Sequence, residues 1–239
     1  MIKLAPEGYP FILGFLGVTI LVALFMPWGA LLPFVLTLFM VSFFRDPERV
    51  IPEGDNIFVS PADGKVILIK NVQEDIGAGS PPLLKNPPSP PFTKGGNNFN
   101  PPLEKGDLGG FIEVSIFMSP LDVHVNRAPC DGTVEAVVHT EGKFLSAFKH
   151  EASLQNENIA MVMNTKHGRI LVRQVAGFLA RRAVCRVKPG DSLGRGERYG
   201  IIKFSSRLDI YLPVNTQIRV KLGDRVKAGE TVIGEMQPK

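Results

Sequence analysis

Residues 200–213 read GIIKFSSRLDIYLP and contain two short apolar runs, Ile201 to Phe204 and Leu208 to Leu212, on either side of Ser205 and Ser206. Short runs rich in Ile, Leu, Phe and Tyr are typical of β-strands. Comparable runs, bounded by Gly, Pro and Asp turns, are Ile57–Ser60, Lys65–Lys70, Phe111–Met118, Thr133–Val138, Ile170–Ala176, Arg182–Val187 and Gln217–Lys221. The pattern predicts that residues 45–239 form a compact, mainly β domain of barrel or sandwich type.

The N-terminal segment is apolar on every face. Phe11–Met26 reads FILGFLGVTILVALFM and Trp28–Phe44 reads WGALLPFVLTLFMVSFF, with Pro27 between them. A 16-residue helix spans about 24 Å, which is marginal against a hydrocarbon core of about 30 Å. We therefore expect residues 1–44 to form a membrane-associated helical hairpin, which crosses the bilayer twice or dips into it. A buried hairpin in a soluble core is the alternative.

Charge supports a membrane and argues against nucleic acid. The chain carries a net charge of +4 with a pI near 9.1, which suits an anionic surface. It has no block of five like charges and no aromatics interleaved with basic residues, so we expect no nucleic-acid partner. Arg45 and Arg49 follow the second apolar run and place the main domain at the cell membrane on its cytoplasmic side.

Two further segments differ from the strand pattern. Residues 77–110 read GAGSPPLLKNPPSPPFTKGGNNFNPPLEKGDLGG, which is too poor in apolar periodicity to bury a core. We interpret residues 73–110 as a disordered insert in a loop between two strands. Ala147 to Glu157 is the one stretch outside the N-terminus with helical character.

Three polar residues are candidates for chemistry. Asp63 lies in SPADGKV (60–66), His124 lies in SPLDVHVNRAP (119–129), and Ser206 ends the serine pair. An acid, a histidine and a hydroxyl can form a nucleophile, base and orienter in any chain order. Taken singly, a turn Asp, a His in a strand and paired serines are more often structural. Cys130 and Cys185 form no CxxC pair, and we expect no metal site.

The motifs together resemble the phosphatidylserine decarboxylase family, in its short archaeal-type branch. Besides the SPADGKV and SPLDVHVNRAP motifs, three further motifs contribute to the resemblance: FFRDPER (43–49), RYGIIKFSSRLDIYLP (198–213) and GDRVKAGET (223–231). The resemblance implies a proenzyme that cuts itself between Ser205 and Ser206 into a β chain and an α chain. Phosphatidylserine would then be decarboxylated to phosphatidylethanolamine and carbon dioxide.

The resemblance also implies roles for individual residues. Ser206 becomes a covalent, self-generated pyruvoyl cofactor, which forms a Schiff base with the substrate amine. His124 acts as the base and Asp63 orients it. In the implied cleavage, Ser206 Oγ attacks the Ser205 carbonyl, the resulting ester undergoes β-elimination, and the dehydroalanine hydrolyses to pyruvoyl and ammonia. The implied partners are a phospholipid, the membrane and the two chains for each other, and a homo-oligomer is left open.

Two positions depart from the family pattern. Ser205 replaces the glycine that usually precedes the reactive serine, and glycine tolerates strained backbone better. Arg127 stands where longer bacterial relatives carry a second histidine, and an arginine stays protonated. Base catalysis would therefore fall to His124.

Other functions remain open from the residues alone. Val220 to Gly234 has the GDxVxxGExV rhythm of lipoyl or biotinyl carrier barrels, but no MKM-like turn presents a lysine. A sugar-transport phosphocarrier would need a second histidine near His124. A degenerate family member that no longer cleaves, because of Ser205, is the third alternative.

Overall fold

A computed structural model describes residues 3–72, 110–140, 156–177, 183–203 and 206–237. The Pro-rich insert up to residue 109, most of the Ala147–Glu157 segment and the Ser205 side of the serine pair lie outside these ranges. Asn156 and Glu157, at the edge of the described part, are not helical.

The N-terminus forms the predicted helical hairpin. Helix α1 covers Tyr9–Phe25 and helix α2 covers Leu31–Phe43, with a 3-10 turn at Pro27–Ala30 between them. Proline lacks an N–H and cannot continue a helix, so the break falls at Pro27. The segment Pro6–Phe25 is the one described helix that is long and apolar enough to cross a membrane, judged by length and composition.

The rest of the described chain is built from short strands. They are β1 (Ile57–Val59), β2 (Gly64–Val72), β3 (Phe111–Met118), β4 (Val125–Arg127), β5 (Gly132–Thr140), β6 (Asn158–Thr165), β7 (Gly168–Ala176), β8 (Ala183–Cys185), β9 (Ser192–Leu193), β10 (Arg198–Ile202), β11 (Ser206–Pro213), β12 (Thr216–Ile218), β13 (Arg225–Val226) and β14 (Val232–Met236). Each of the nine predicted strands overlaps one of these, and the mainly β fold class is confirmed.

One large sheet organises the domain. Its strand order is β13-β2-β3-β11-β7-β6-β5-β9, and the pairings within it are antiparallel. Strand β11 lies between β3 and β7, so its first residue, Ser206, pairs with Met118 on one side and Ala176 on the other. Alternate residues of β11, beginning with Leu208, face the main apolar core.

Two small sheets complete the domain, with orders β4-β10-β8 and β1-β14-β12. In the first of them Val125 pairs with Ile201, so the histidine motif runs beside the strand that leads to the serine pair. The five strands that no predicted run covers are β4, β6, β9, β13 and β14. The β6 run, NIAMVMNT, is buried along nearly its whole length and lacks the polar alternation of a half-exposed strand.

The base of the hairpin is packed on the β domain. A second apolar cluster joins residues of both helices to residues of β4 and β10; its buried members are Ala5, Ile12, Met40, Phe43, Phe44, Val123, Val125 and Ile201. The Ala5 N–H also donates to the Phe44 carbonyl at 2.8 Å, and Arg186 pairs with Glu7. The far end of the hairpin is different, because Leu24, Phe25 and Trp28 are exposed there.

Candidate active site

A tight turn positions the histidine. Strand β3 ends at Met118, and Asp122 then caps the turn by accepting hydrogen bonds from the Ser119 N–H at 2.8 Å and the Ser119 hydroxyl at 2.7 Å. The Asp122 N–H donates back to the Ser119 carbonyl at 2.9 Å. Short polar side chains often close turns in this way. The reversal brings β4, and with it His124, back beside the end of β3.

His124 is completely buried, and its two ring nitrogens differ. Nδ1 lies 3.0 Å from the Asp122 carbonyl oxygen, which can only accept, so Nδ1 carries the proton of the neutral ring. Nε2 is buried, and no described residue is its hydrogen-bond partner. The Phe43 ring covers the imidazole with a centroid distance of 4.1 Å. The structure therefore offers an unpaired nitrogen lone pair in a dry site.

Burial sets the protonation state of this histidine. Loss of solvation lowers the pKa of His124 to about 4, because the charged imidazolium is disfavoured in an apolar site. The nearby Asp122 carbonyl and carboxylate act in the opposite direction but do not offset the burial. His124 is consequently neutral at physiological pH, the state that a general base requires.

Ser206 is buried at the first position of the central strand. Its hydroxyl donates to the Met118 thioether sulphur at 3.4 Å, a weak acceptor. The chain leading to it is tied to the histidine, because the Ile202 N–H donates to the His124 carbonyl at 3.3 Å. His124 thus lies beside the segment that ends in Ser206, whereas Ser205 falls outside the described residues.

Two buried amides lie beside Ser206. Asn126 and Gln174 are both buried, and Gln174 Nε2 donates to Asn126 Oδ1 at 2.8 Å. Asn126 Nδ2 lies 3.9 Å from the same Met118 sulphur that the Ser206 hydroxyl contacts. Gly200 makes room for them, because a Cβ at that position would lie 2.8 Å from Gln174 Nε2 and 2.3 Å from the Val184 carbonyl.

Asp63 has partners other than the histidine. Arg49 Nη2 donates to its two carboxylate oxygens at 2.9 and 2.8 Å, and the Ala228 N–H donates to Oδ1 at 2.8 Å. Gly64 allows the turn that holds it, since a Cβ there would lie 2.1 Å from the Phe117 carbonyl oxygen. Burial raises the pKa of the Asp63 carboxyl, and the Asp122 charge acts in the same direction.

Of the predicted site residues, the structure brings His124 and the segment before Ser206 together. Asp63 makes its hydrogen bonds to Arg49 and Ala228, and in the described part of the chain neither His124 nor Ser206 is hydrogen-bonded to it. The carbonyl that orients His124 belongs to Asp122.

Several residues of the site were not predicted. Asp122 and Asn126 lie inside the motif already quoted, where they alternate with His124 and were not weighed separately. Gln174 is a polar residue in the apolar run of β7, and a buried polar group of that kind is a detectable signal. Met118 could not be found from its type alone, since methionine is common in cores.

Two arginines in the motifs, Arg127 and Arg207, have partners outside the Asp63, His124 and Ser206 set. Arg127 donates to Asp46 at 3.1 Å and to the Gly196 carbonyl at 2.9 Å, in a buried position. Arg207 is buried between Glu113 and Asp209. Both guanidinium groups are therefore engaged in buried ion pairs within the β domain.

Comparisons with known proteins point to one family. The family model described as phosphatidylserine decarboxylase matches residues 36–234. The chain is 46% identical over 239 residues to the phosphatidylserine decarboxylase proenzyme of Geobacter sp. (strain M21), covering 97% of this chain and 95% of the relative. It is 43% identical over 235 residues to the proenzyme of the same name from Syntrophus aciditrophicus (strain SB), covering 97% and 96%.

Proposed function

The chain belongs to the phosphatidylserine decarboxylase family, and on that premise we propose that it cuts itself before Ser206 and then converts phosphatidylserine to phosphatidylethanolamine and carbon dioxide. The observation that carries the proposal is the buried Ser206 at the start of β11, four residues after the backbone hydrogen bond between Ile202 and His124.

The first step would be an attack within the chain. Ser206 Oγ forms a bond to the carbonyl carbon of residue 205 while its proton passes to a base. The peptide nitrogen leaves with a proton, and an ester remains. His124 suits the role of the base, because Nε2 carries the free lone pair and the ring is neutral. Elimination from the ester then divides the chain.

The surroundings of Ser206 fit a pyruvoyl group. That group keeps the three carbons of the serine and needs no additional volume, and Ser206 lies in a dry position between Met118 and Ala176. The group would supply a ketone that captures the substrate amine and an adjacent carbonyl that accepts the electron pair left by carbon dioxide. His124 is then placed to hold the proton that completes the product.

Asp63 remains in the proposed set as the acidic member, supported by its raised pKa and by its electrostatic coupling to Asp122, the residue whose carbonyl orients His124. Asp63→Asn tests this role. The amide still accepts from Ala228 but loses the charge, so we expect slower self-cleavage in a folded protein.

The hairpin suits a lipid substrate. Its exposed apolar tip would enter the bilayer, and its base contacts His124, which places the reaction at the head-group level. Arg45 follows α2 and favours the cytoplasmic side of the cell membrane. We include membrane attachment and this orientation in the proposal.

Intact mass and Edman sequencing of the purified protein test the proposal. We expect two chains, and the smaller one should resist Edman sequencing because its N-terminus is a ketone. Vesicles of carboxyl-labelled phosphatidylserine should release labelled carbon dioxide. A free amine at residue 206, or a cut protein that releases none, would contradict it.

Two serine variants define the position of the cut. Ser206→Ala should remain one chain and lose decarboxylation, because the nucleophile is gone. Ser205→Ala is the matched control and should still cut. The opposite result would move the cleavage by one residue.

A further inference from the structure

We propose that Asn126, held by Gln174, is the hydrogen-bond donor that stabilises the negative charge formed on the residue 205 carbonyl oxygen during self-cleavage. The proposal rests on the self-cleavage put forward above. It assigns a part in that step to two residues outside the Asp63, His124 and Ser206 set.

Two buried donors converge on one weak acceptor. The Ser206 hydroxyl and Asn126 Nδ2 lie 3.4 Å and 3.9 Å from the Met118 sulphur. All three side chains are buried, so water does not complete their hydrogen bonding. A buried donor without a good acceptor is unfavourable by about 1–3 kcal/mol. The arrangement is explained if an oxygen with developing charge is the acceptor during the reaction.

The Asn126 amide is oriented by its hydrogen bond to Gln174. Gln174 Nε2 donates to Asn126 Oδ1 at 2.8 Å, so the oxygen faces Gln174 and the NH₂ group faces Met118 and Ser206. Gln174 lies on β7 opposite Leu208 and two residues before Ala176, the partner of Ser206. Gln174 therefore acts as a clamp on the Asn126 amide, and it lies on β7, the strand that pairs with Ser206.

A glycine opposite Asn126 leaves space for the Asn126–Gln174 pair. Gly200 lies opposite Asn126 in the pairing of β10 with β4. A Cβ at Gly200 would lie 2.8 Å from Gln174 Nε2 and would also meet the Val184 backbone oxygen, so it could be accommodated only if the Gln174 amide and the backbone shifted. Gly200 belongs to the same RYGIIKFSS segment as the serine pair. The same segment therefore contains both the proposed cleavage site and the glycine that leaves space for the Asn126–Gln174 pair.

The chemistry requires such a donor. When Ser206 Oγ bonds to the carbonyl carbon of residue 205, the two π electrons of the C=O bond move onto the carbonyl oxygen. The hydroxyl proton passes to a base. An electron pair on the oxygen then re-forms the C=O bond, while the C–N bonding pair leaves with the nitrogen, which takes a proton. A preorganised N–H near that oxygen lowers the barrier most in a water-excluded site.

The test is the cleavage rate of full-length precursor made by cell-free translation and followed on denaturing gels. Asn126→Asp keeps the shape and the acceptor for Gln174 but removes the donor. We expect cleavage to slow by about 10²–10³-fold, the effect of losing one such donor. Asn158→Asp is the control, because Asn158 is a buried asparagine on β6 that donates to the Asn156 carbonyl at 3.0 Å.

A second readout separates this role from a general loss of structure. The melting temperature should stay close to that of wild type, and the material that does cut should decarboxylate at the wild-type rate per pyruvoyl group. Wild-type cleavage in folded Asn126→Asp overturns the proposal, as does equal slowing in Asn158→Asp. Normal cleavage with slow decarboxylation would also overturn it, by moving Asn126 to the later reaction.

If Asn126→Asp does not fold, Gln174→Met provides the same test, since it leaves Asn126 in place and removes the clamp. We expect a smaller slowing of cleavage, about tenfold, and a wild-type rate overturns the proposal. A cut protein that releases no carbon dioxide from phosphatidylserine would refute the proposed function and leave this inference standing.

Discussion

The Phe43 ring lies 4.1 Å from the His124 imidazole, centroid to centroid, with an interplanar angle of 33°. The last residue of α2 therefore covers the histidine of the candidate site and shares in its burial. A segment that looks like a separable membrane attachment thus takes part in setting the protonation state of the proposed base.

The pH profile of self-cleavage should reflect this contact. Burial holds the pKa of His124 at about 4, so the base stays neutral and the wild-type rate should be flat from about pH 7 to about pH 5. Phe43→Ala admits water, raises the pKa toward its ordinary value and should make the rate fall over that range. Phe39→Ala is the control, because Phe39 packs on Phe43 in the same apolar cluster. Identical profiles for all three proteins would contradict the prediction.

Stability should depend on the same group. The folded pKa of His124, about 4, lies below the ordinary histidine value of 6.5, so the unfolded chain binds the proton more readily between these two values. The free energy of unfolding is therefore unaffected by His124 above about pH 6.5. Below that pH, it decreases as the pH falls toward about 4. His124→Gln in an uncut Ser206→Ala background should weaken this pH dependence in urea titrations.

The tip and the base of the hairpin should behave differently. Replacing Leu24, Phe25 and Trp28 at the exposed tip by serine should move the protein from the membrane fraction to the soluble fraction and leave cleavage unchanged. Phe44→Ala at the base should destabilise the fold by about 3–5 kcal/mol and slow cleavage. Fractionation, melting curves and gels measure the three effects. Loss of cleavage in the tip variant would show that the whole hairpin belongs to the catalytic fold.

The Pro-rich insert should be dispensable. Strands β2 and β3 pair from Lys65 with Phe117 to Val72 with Phe111, so the described residues on either side already meet. Replacing residues 77–109 by a short Gly-Ser loop should leave cleavage and activity nearly unchanged. Loop closure changes by only about 0.6 kcal/mol per doubling of length. A large drop in melting temperature would show that the insert packs on the core.

The buried ion pairs of Arg207, the residue that follows Ser206 on β11, should be important for stability. Arg207 donates to Asp209 at 2.5 Å and to Glu113 at 3.2 Å, and all three side chains are nearly inaccessible. Arg207→Met removes a buried cation from beside two buried carboxylates, so we expect a loss of about 3–5 kcal/mol. Arg219→Met is the control, since its pair with Glu235 is exposed and contributes about 1 kcal/mol or less. Urea unfolding in the uncut Ser206→Ala background measures both, and a similar small loss in the two would contradict the prediction.

The strands and the hairpin were predictable because their signal is local. Runs such as Phe111–Met118 have the composition of strands, and Pro27 between two apolar runs marks the helix break. The burial of β6 removed the alternation that would have identified it. The alternation of polar and apolar residues depends on how exposed a strand is as well as on its conformation.

The site was harder to predict from the sequence, because its residues are held by partners that are distant in the chain. Asp63 is held by Arg49 and by the backbone of Ala228, which no spacing rule connects to it. The link between Asn126 and Gln174 joins β4 to β7, and neither residue type signals chemistry by itself. His124 and Ser206 were selected as candidates because each lies in a recognisable motif, and the two motifs meet where β4 pairs with β10.

The position of β11 has a consequence for refolding. The chain from Ser206 onward supplies the strand between β3 and β7, pairs β13 with β2 and pairs β14 with β1. Before the cut, unfolding and refolding are unimolecular. After it, each piece lacks strands that the other holds, so reassembly becomes bimolecular and depends on concentration. Self-cleavage would therefore turn a reversible folding reaction into one that is practically irreversible in dilute solution, and the mature protein would persist through the slowness of its unfolding.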